Sequence, residues 1–254
     1  MAQTSTAPLK TVENAFAVVD ALRRLEGAGV TELADELGMS KSTVHDHLTT
    51  LRAHHYVVKT GDGYDLGLGF FEIGEYARTQ RKIYEIARPE VTNLADETGE
   101  VANLMVEEHG RGVYLFRAHG ENAVTLDTHT GKRRYLHNTA LGKSILAHLP
   151  DERVHEILDR HGLPRETKHT ITDRDRLFDE LAAIRERGIA YCGQERVEGL
   201  QCVAAPILST DDRVLGAISV AGPTTRITGE RFKTEIPELV TQAANVIEIN
   251  VTYA

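Results

Sequence analysis

The 254-residue sequence predicts a mixed α/β (α+β) protein built in two parts. Two observations define the parts. Residues 11–67 show three short helical patterns followed by two β-prone runs, whereas residues 83 onward mix helices and strands. A third observation concerns the sheet: the strands predicted at 202–208 and 214–222 flank a polar turn at 209–212, which is typical of antiparallel pairing. The second part is therefore expected to hold an antiparallel sheet, not a doubly wound parallel one.

Composition limits the class of protein. With 41% hydrophobic and 26% charged residues, the chain is typical of a globular protein, and no long apolar run predicts a membrane span. The first ten residues lack the pattern of a secretory signal and are expected to be a short disordered lead-in. Only two cysteines, Cys192 and Cys202, are present, which favours a reducing cytoplasm over a disulfide framework. The net charge of −9 argues against non-specific adhesion to nucleic acid.

The first two helices follow from apolar spacing. Residues 11–25 carry apolar side chains at helical intervals, namely Val12, Phe16, Val19 and Leu22. A second helix is predicted to begin with Thr31 as its N-cap and to place Leu33 and Leu37 one turn apart. Gly38 then suits a left-handed turn residue that ends this helix.

A third helix and a hairpin complete the N-terminal part. Ser40 is the predicted N-cap, and Val44, Leu48 and Leu51 form one apolar stripe. Two β-prone runs around residues 60–63 predict a hairpin. Three helices followed by a hairpin, with a short glycine-containing turn between helices two and three, is the order of a winged helix-turn-helix, expected over residues 8–67.

Helical phase divides the third helix into a packed face and a polar face. His47 falls on the packed face and is expected to be partly buried. The polar face begins at the helix N-terminus, where a recognition helix touches bases and phosphates of DNA. The predicted DNA-contacting residues are Thr31, Ser40, Lys41, Ser42, Thr43, His45, Thr49, Arg52 and the hairpin residue Lys59. Residues 40–60 hold three basic residues against one acidic residue, although the chain as a whole is acidic.

Two other interpretations of this helix are a metal site and a catalytic histidine cluster. His45 and His47 are two residues apart, which does not match the i,i+4 spacing of helical metal ligands. Capping and groove contact account for the nearby serines and threonines. A merely solvated polar face is the remaining alternative, and the adjoining turn and hairpin favour DNA recognition over it.

Beyond the hairpin, residues 68–82 predict a linking helix, and residues 83–252 form the second part. Helices are predicted at 84–99, 139–149, 174–188 and from residue 229 onward, and strands at 101–108, 112–118, 122–127, 189–194, 201–208 and 214–222.

With these elements in place, the sequence resembles the IclR family of transcriptional regulators (isocitrate lyase regulator type) over residues 8–252. The resemblance rests on the order and spacing of several segments. These are LADELGMSKSTVHDHLTTL, YDLGLGFFEIG, RRYLHNTALGKSILAHL, TKHTITDRDRL, IRERGIAYCGQERVEGLQCVAAPI and GAISVAGPTTRIT.

The resemblance implies a dimeric, usually tetrameric, regulator that binds double-stranded operator DNA and represses or activates metabolic genes. It also implies a GAF-like C-terminal domain that binds a small effector, often a carboxylate or aromatic acid, in a pocket. Matched onto this chain, the pocket residues are Ala140, Leu141, Gly142, Cys192, Leu200, Cys202, Ser219 and Ala221. A helix opening at residues 139–142 offers free N–H groups and a positive dipole end, which suit a carboxylate.

Two positions depart from the family pattern. Members that bind small keto acids tend to carry an acidic residue near 192 and a second serine near 221, where this chain has Cys192 and Ala221. A less polar pocket is expected, which argues against glyoxylate or pyruvate as the effector, whereas a larger or more apolar organic acid, or a sugar acid, would fit no worse.

Three alternatives remain at this point. A cysteine-dependent enzyme could use Cys192 or Cys202 with His137 or His148, but no sequence spacing joins them, and no catalytic residue, metal or cofactor is predicted. A redox-responsive regulator could use the two cysteines as its switch. A C-terminal domain that serves only for dimerisation is the third.

Overall fold

A computed structural model describes residues 8–125 and 127–253, and the chain divides into two compact units at the junction of Gln80 and Arg81. Most of the expected N-terminal lead-in lies outside the described residues. Among those that are described, we find no helix with both the length and the apolarity that crossing a membrane requires.

The first unit contains the predicted three helices and hairpin. Its elements are α1 (Lys10–Leu25), α2 (Val30–Leu37), α3 (Lys41–Ala53), the antiparallel strands β1 (Val57–Thr60) and β2 (Gly63–Leu66), and α4 (Gly69–Thr79). Residues 61 and 62 form the hairpin turn, as predicted. The core of this unit includes Val18, Leu22, Leu33, Val44 and Leu48, all fully buried.

Local capping explains the tight turn between α2 and α3. Gly38 ends α2 in the left-handed region at φ 61°, and the Ser40 side chain caps α3, both as predicted. The prediction of Thr31 as an N-cap was wrong, because Gly29 occupies the N-cap and Thr31 lies within the first turn of α2.

The apolar stripe of α1 was only partly assigned to the correct face. Leu22 is fully buried, but Val12 and Phe16 are 48% and 63% exposed. The core instead takes Val18 and Ala21, because the helix buries the face one residue around from the predicted stripe. An apolar surface stripe is therefore left on α1.

The second unit is a six-stranded sheet with helices on both faces. Its helices are α5 (Lys82–Thr98), α6 (Ala140–Ala147), α7 (Asp151–His161), α8 (Arg174–Arg187) and α9 (Ile236–Tyr253), the last preceded by a π-helical segment, Arg231–Glu235. Its strands are β3 (Val101–Glu108), β4 (Arg111–His119), β5 (Arg133–Arg134), β6 (Ala190–Gly193), β7 (Leu200–Leu208) and β8 (Val214–Pro223). The strand order is β5-β4-β3-β8-β7-β6, and every neighbouring pair is antiparallel, as predicted.

Three parts of this unit differ from the sequence-based prediction. Residues 122–125 form a turn and irregular backbone where a strand was predicted, and residue 126 lies outside the described residues. Helix α7 and the two-residue strand β5 were not predicted. The expected linking helix at 68–82 is also divided, because α4 ends at Thr79 and α5 begins at Lys82.

The two faces of the sheet bury separate apolar clusters. Helices α5 and α9 cover one face, over side chains such as Leu104, Val203 and Val220. Helices α6, α7 and α8 cover the other, over Met105, Ala204 and Ala217. Polar side chains at inward positions on this second face are the exceptions, and they mark the candidate site.

Candidate functional site

The polar face of α3 is exposed as its helical phase predicted. Lys41, Ser42, His45, Thr49 and Arg52 are exposed, whereas His47 is only half-buried beside the packed face. The remaining predicted DNA-contacting residues are Thr31, Ser40 and Lys59, which are also exposed, and Thr43, which is half-buried.

Side-chain hydrogen bonds fix the N-terminus of α3. The Ser40 hydroxyl accepts a hydrogen bond from the backbone N–H of Thr43 at 3.1 Å and lies 2.8 Å from the hydroxyls of both Ser42 and Thr43. These three hydroxyl groups are therefore held together at the end of the helix where a recognition helix contacts DNA.

The basic residues of this unit fall into two groups. Four of them are ion-paired: Lys10 with Glu13, Arg23 with Asp20, Arg24 with Glu36 and Arg78 with Glu75. The other three, Lys41, Arg52 and Lys59, have no carboxylate partner in the part of the chain that the structure describes. The uncompensated positive charge therefore lies on α3 and on the hairpin.

In the second unit, the sheet register aligns polar side chains beneath α6. Arg117, Asn103 and Ser219 lie opposite one another on β4, β3 and β8. The Arg117 Nε donates to Asn103 Oδ1 at 2.9 Å, and the Asn103 Nδ2 donates to Ser219 Oγ at 3.3 Å. A chain of hydrogen bonds thus crosses three strands within an otherwise apolar face.

The neighbouring row of the same face holds the two thiols. Ala221, Cys202 and Cys192 lie opposite one another on β8, β7 and β6. A hydrogen bond from Cys202 is the main cause that lowers the pKa of the Cys192 thiol, and the same interaction raises the pKa of Cys202 well above its usual value. The Cys192 Sγ also lies 3.4 Å from the carbonyl oxygen of Asn138.

The N-terminus of α6 is aimed into the same pocket. Thr139 caps the helix by accepting from the Gly142 N–H at 3.0 Å. The N–H groups of Ala140 and Leu141 precede the first intrahelical bond, and no described residue accepts a hydrogen bond from them. Gly142 permits this position of the helix, because a Cβ there would overlap the carbonyl oxygen of Leu136.

One pocket gathers seven of the eight predicted effector residues. Its lining includes Ala140, Leu141, Cys192, Leu200, Cys202, Ser219 and Ala221. Gly142 lies just beyond the lining. Their assignment to effector binding stays a prediction.

The lining also contains side chains that sequence reasoning missed. These are Asn103, Tyr114, Arg117, Thr128, Asn138, Thr139, Arg196 and Val197. Polar residues at inward positions of β3 and β4 are a signal that could have identified Asn103 and Arg117. Arg196 and Val197 lie in a loop, where no such periodicity operates.

The pocket carries positive charge without an acidic side chain among its described lining residues. Burial is the main cause that lowers the pKa of Arg117, and the positive charges of Arg196 and Arg134 add to the shift. Burial likewise raises the pKa of the Tyr114 phenol, so it stays protonated. The Asn138 side chain is fully buried, and neither its amide oxygen nor its nitrogen has a hydrogen-bond partner among the described residues. These groups can bind an anion that also accepts and donates hydrogen bonds.

His137 and His148, the two histidines considered as partners of a catalytic cysteine, contact backbone carbonyl oxygens instead. His137 Nε2 is 3.1 Å from the Pro164 carbonyl oxygen, and His148 Nδ1 is 2.9 Å from that of Ser144. Neither has a hydrogen bond to Cys192 or Cys202 in the described part of the chain. No group of three or more described His, Cys, Asp or Glu side chains is placed to hold a metal ion.

Comparison with known proteins identifies the family of both parts of the chain. The family model for the IclR helix-turn-helix domain matches residues 11–61, and the model for the bacterial transcriptional regulator IclR C-terminal domain matches residues 76–249. The probable HTH-type transcriptional regulator ArcR of Halobacterium salinarum is 36% identical over 250 residues, which cover 97% of this chain and 95% of that protein.

Solved structures show the same fold. The crystal structure of the Thermotoga maritima IclR protein superposes with a TM-score of 0.80 at 28% identity, covering 96% of this chain and 99% of that one. An IclR homologue from Microbacterium hydrocarbonoxydans, crystallised with 4-hydroxybenzoate, superposes with a TM-score of 0.79 at 22% identity, covering 94% and 100%. With a winged helix-turn-helix in one unit and an effector-domain fold in the other, the chain belongs to the IclR family of transcriptional regulators, which are not enzymes.

Proposed function

We propose that this protein is a cytoplasmic regulator of metabolic genes that binds a specific operator through α3 and responds to an organic-acid effector in the pocket beneath α6. Family membership supplies the two general activities, DNA binding and effector binding. We further propose which residues bind DNA and the effector, and to which chemical class the effector belongs.

The distribution of charge in the first unit supports the DNA surface. Phosphate contacts need cations that are free to pair, and Lys41, Arg52 and Lys59 are free where the other basic residues of this unit are not. His45 and Thr49 add donors and acceptors on the same exposed face. In this proposal α3 lies in the major groove and the hairpin contacts the flanking backbone.

A DNA-binding experiment tests this surface. Duplexes bound by the wild-type protein would be selected from fragments of its own genome, and their affinities measured by fluorescence anisotropy over a range of salt concentrations. Replacing both Lys41 and Arg52 by Ala should weaken binding and flatten its dependence on salt, because fewer counterions are released. Arg23→Ala, which removes an ion-paired arginine, is the matched control. Unchanged affinity in the double variant would exclude α3 from the interface.

The acid-free pocket is the observation that carries the effector proposal. A carboxylate placed there would meet either the free N–H groups of Ala140 and Leu141 or the guanidinium groups of Arg117 and Arg196. Aromatic and sugar acids remain the candidate classes, and the 4-hydroxybenzoate bound to the Microbacterium homologue is one probe. Binding must raise the melting temperature of the protein, and it can alter DNA affinity only if two states of the protein bind the effector unequally.

A homodimer is the proposed DNA-binding form, and two such dimers would give the tetramer that the resemblance implies. The first unit exposes large apolar side chains on α1 and α4, including Phe16, Phe71, Ile73 and Tyr76. A groove in this unit is lined by Phe16, Val19, Tyr56, Phe70 and Ile73, among others. A second copy of the chain would cover this surface and supply a second recognition helix. Light scattering of wild type and of Phe16→Glu should show a dimer that dissociates in the variant.

A redox response is the second candidate function, because the two cysteines are direct cross-strand partners. Residues opposite each other in an antiparallel pair have Cα atoms about 4.5–5.5 Å apart, which is within the range of a disulfide. A peroxide would oxidise both thiols to a disulfide and be reduced to water or an alcohol. If operator binding by wild type and by the Cys192→Ser, Cys202→Ser double variant responds equally to peroxide, this function is excluded.

A further inference from the structure

We propose that the effector is a dianion with two separate acidic groups, one bound at the N-terminus of α6 and the other at Arg117 and Arg196. This inference rests on the proposed effector function and adds to it the number and placement of the ligand's charges.

Neither arginine of the pocket has an anionic partner among the residues that the structure describes. Arg117 donates to the neutral Asn103 side chain and to the carbonyl oxygen of Thr128, and its buried Nη2 has no partner. Arg196 has no ion pair and no hydrogen bond from its side chain among the described residues. Two guanidinium groups therefore face one cavity without neutralisation.

Two acidic residues that adjoin the pocket lining in the sequence are already engaged. Glu195 precedes Arg196 in the chain, but its Oε1 lies 2.5 Å from the buried Lys143 Nζ. Asp127 pairs with Lys132 at 3.5 Å and with Arg134 at 3.9 Å. Before Glu195 or Asp127 could neutralise Arg117 or Arg196, its side chain would have to leave the ion pair that it already forms.

Charge balance then distinguishes between ligands. Two half-buried cations repel each other, and a ligand with a single negative charge would leave the pocket with a net positive charge. The free N–H groups of Ala140 and Leu141 form a further anion position, and it is independent of the arginines. Helix α6 packs on β3, β6, β7 and β8, whereas Arg117 projects from β4, the next strand beyond β3, so different elements supply the two anion positions.

The unpartnered amide of Asn138 marks the α6 end of the pocket as built for a ligand. This side chain is fully buried beside the N-cap Thr139, and it lines the cavity with both polar atoms unsatisfied. An unsatisfied buried amide costs stability; a bound carboxylate would accept a hydrogen bond from its Nδ2, and a hydroxyl group of the ligand could donate one to its Oδ1. A dicarboxylate fits both positions better than a phosphate monoester, which carries its two charges on one group.

The test compares matched ligands by isothermal titration calorimetry on the full-length protein. Succinate, glutarate, phthalate and terephthalate would each be titrated beside their monomethyl esters, which keep the shape but lose one charge. Glycerol 3-phosphate serves as a dianion with a single acidic group. We expect at least one diacid to bind about tenfold or more tightly than its own ester and than glycerol 3-phosphate. Arg196→Gln should abolish that preference, whereas Arg160→Gln, the same charge change at an exposed site on α7, should leave it intact.

Each of the other possible outcomes would contradict one part of the proposal. Esters that bind as tightly as diacids would overturn the dianion and leave the organic-acid effector standing. Glycerol 3-phosphate binding as tightly as the best diacid would overturn the two separate positions. If no acid of either kind binds, both the dianion and the proposed effector function fail.

Discussion

Lys143 and Glu195 form a buried ion pair, with Nζ 2.5 Å from Oε1. Only 2% and 8% of the two side chains are exposed, and a second carboxylate, that of Glu180, lies 3.8 Å from the same ammonium group. Burial raises the pKa of Glu195 despite the attraction of Lys143. The pair joins α6 to the loop after β6, the two segments that supply Ala140, Leu141 and Arg196 to the pocket.

Breaking the Lys143–Glu195 ion pair should lower the stability of the folded protein. Lys143→Met leaves a buried carboxylate without its cation, and we expect a loss of about 3–5 kcal/mol in the free energy of unfolding. The double variant Lys143→Met, Glu195→Leu removes both charges and should recover most of that loss. Urea denaturation of the single and double variants measures the coupling. Additive losses would show that the two charges do not interact.

His137 should make stability depend on pH. Burial lowers its pKa in the folded protein below the ordinary value, opposed in part by the hydrogen bond to Pro164. The unfolded chain therefore binds the proton more readily, and stability is lost as pH falls below about 6.5 toward the folded-state pKa, with a slope of at most about 1.4 kcal/mol per pH unit. His137→Gln should flatten the stability profile between pH 7 and lower values, as followed by urea denaturation.

A matched change at the exposed His54 separates this effect from the general loss of a histidine. His54→Gln should retain the wild-type slope. If both variants have the wild-type slope, His137 does not contribute to the pH dependence.

Gly142 should tolerate no side chain. A Cβ at this position overlaps the Leu136 carbonyl oxygen, so Gly142→Ala must displace α6 and should cost about 1–3 kcal/mol. Effector affinity should fall as well, because the N–H groups of Ala140 and Leu141 move with the helix. Gly74→Ala in α4 is the control, since open space surrounds that glycine, and it should be neutral or stabilising. Equal thermal stability of the two variants would contradict this role for Gly142.

Removing the hydroxyl groups of Ser40 and Thr49 should affect different properties, namely folding stability for Ser40 and operator binding for Thr49. Ser40→Ala removes the N-cap of α3 and should cost about 1 kcal/mol in stability. Thr49 is exposed on the same helix and caps nothing, so Thr49→Ala should weaken operator binding without changing the melting temperature. Calorimetric melting and anisotropy titrations on both variants measure the two properties separately. A drop in the melting temperature for Thr49→Ala would show that this side chain has a structural role.

The sequence predicted what depends on local periodicity. The bounds of β3 and the phase of α3 agree with the structure, because alternation and helical spacing determine which side chains face the core. On α1, helical spacing also included Phe16, which the structure leaves exposed. An apolar side chain that faces a partner has the same spacing as one that faces the core. Two side chains of the pocket could not be predicted from periodicity. Arg196 reaches the cavity from a loop, and Asn138 remains unpaired only because the fold encloses it. Neither property is encoded in spacing.

The central pairing of the sheet has a consequence for how the protein is made. Strand β3 pairs with β8, so that Asn103 and Ser219, which are hydrogen-bonded in the pocket, are separated by 116 residues in the chain. The helices and hairpin of the first unit, by contrast, are complete within the first 80 residues and have their own core. During synthesis from the N-terminus, the DNA-binding unit can fold long before the two halves of the pocket meet. If the proposed function holds, nascent and C-terminally truncated chains would bind DNA without responding to the effector, and only complete chains would be regulated.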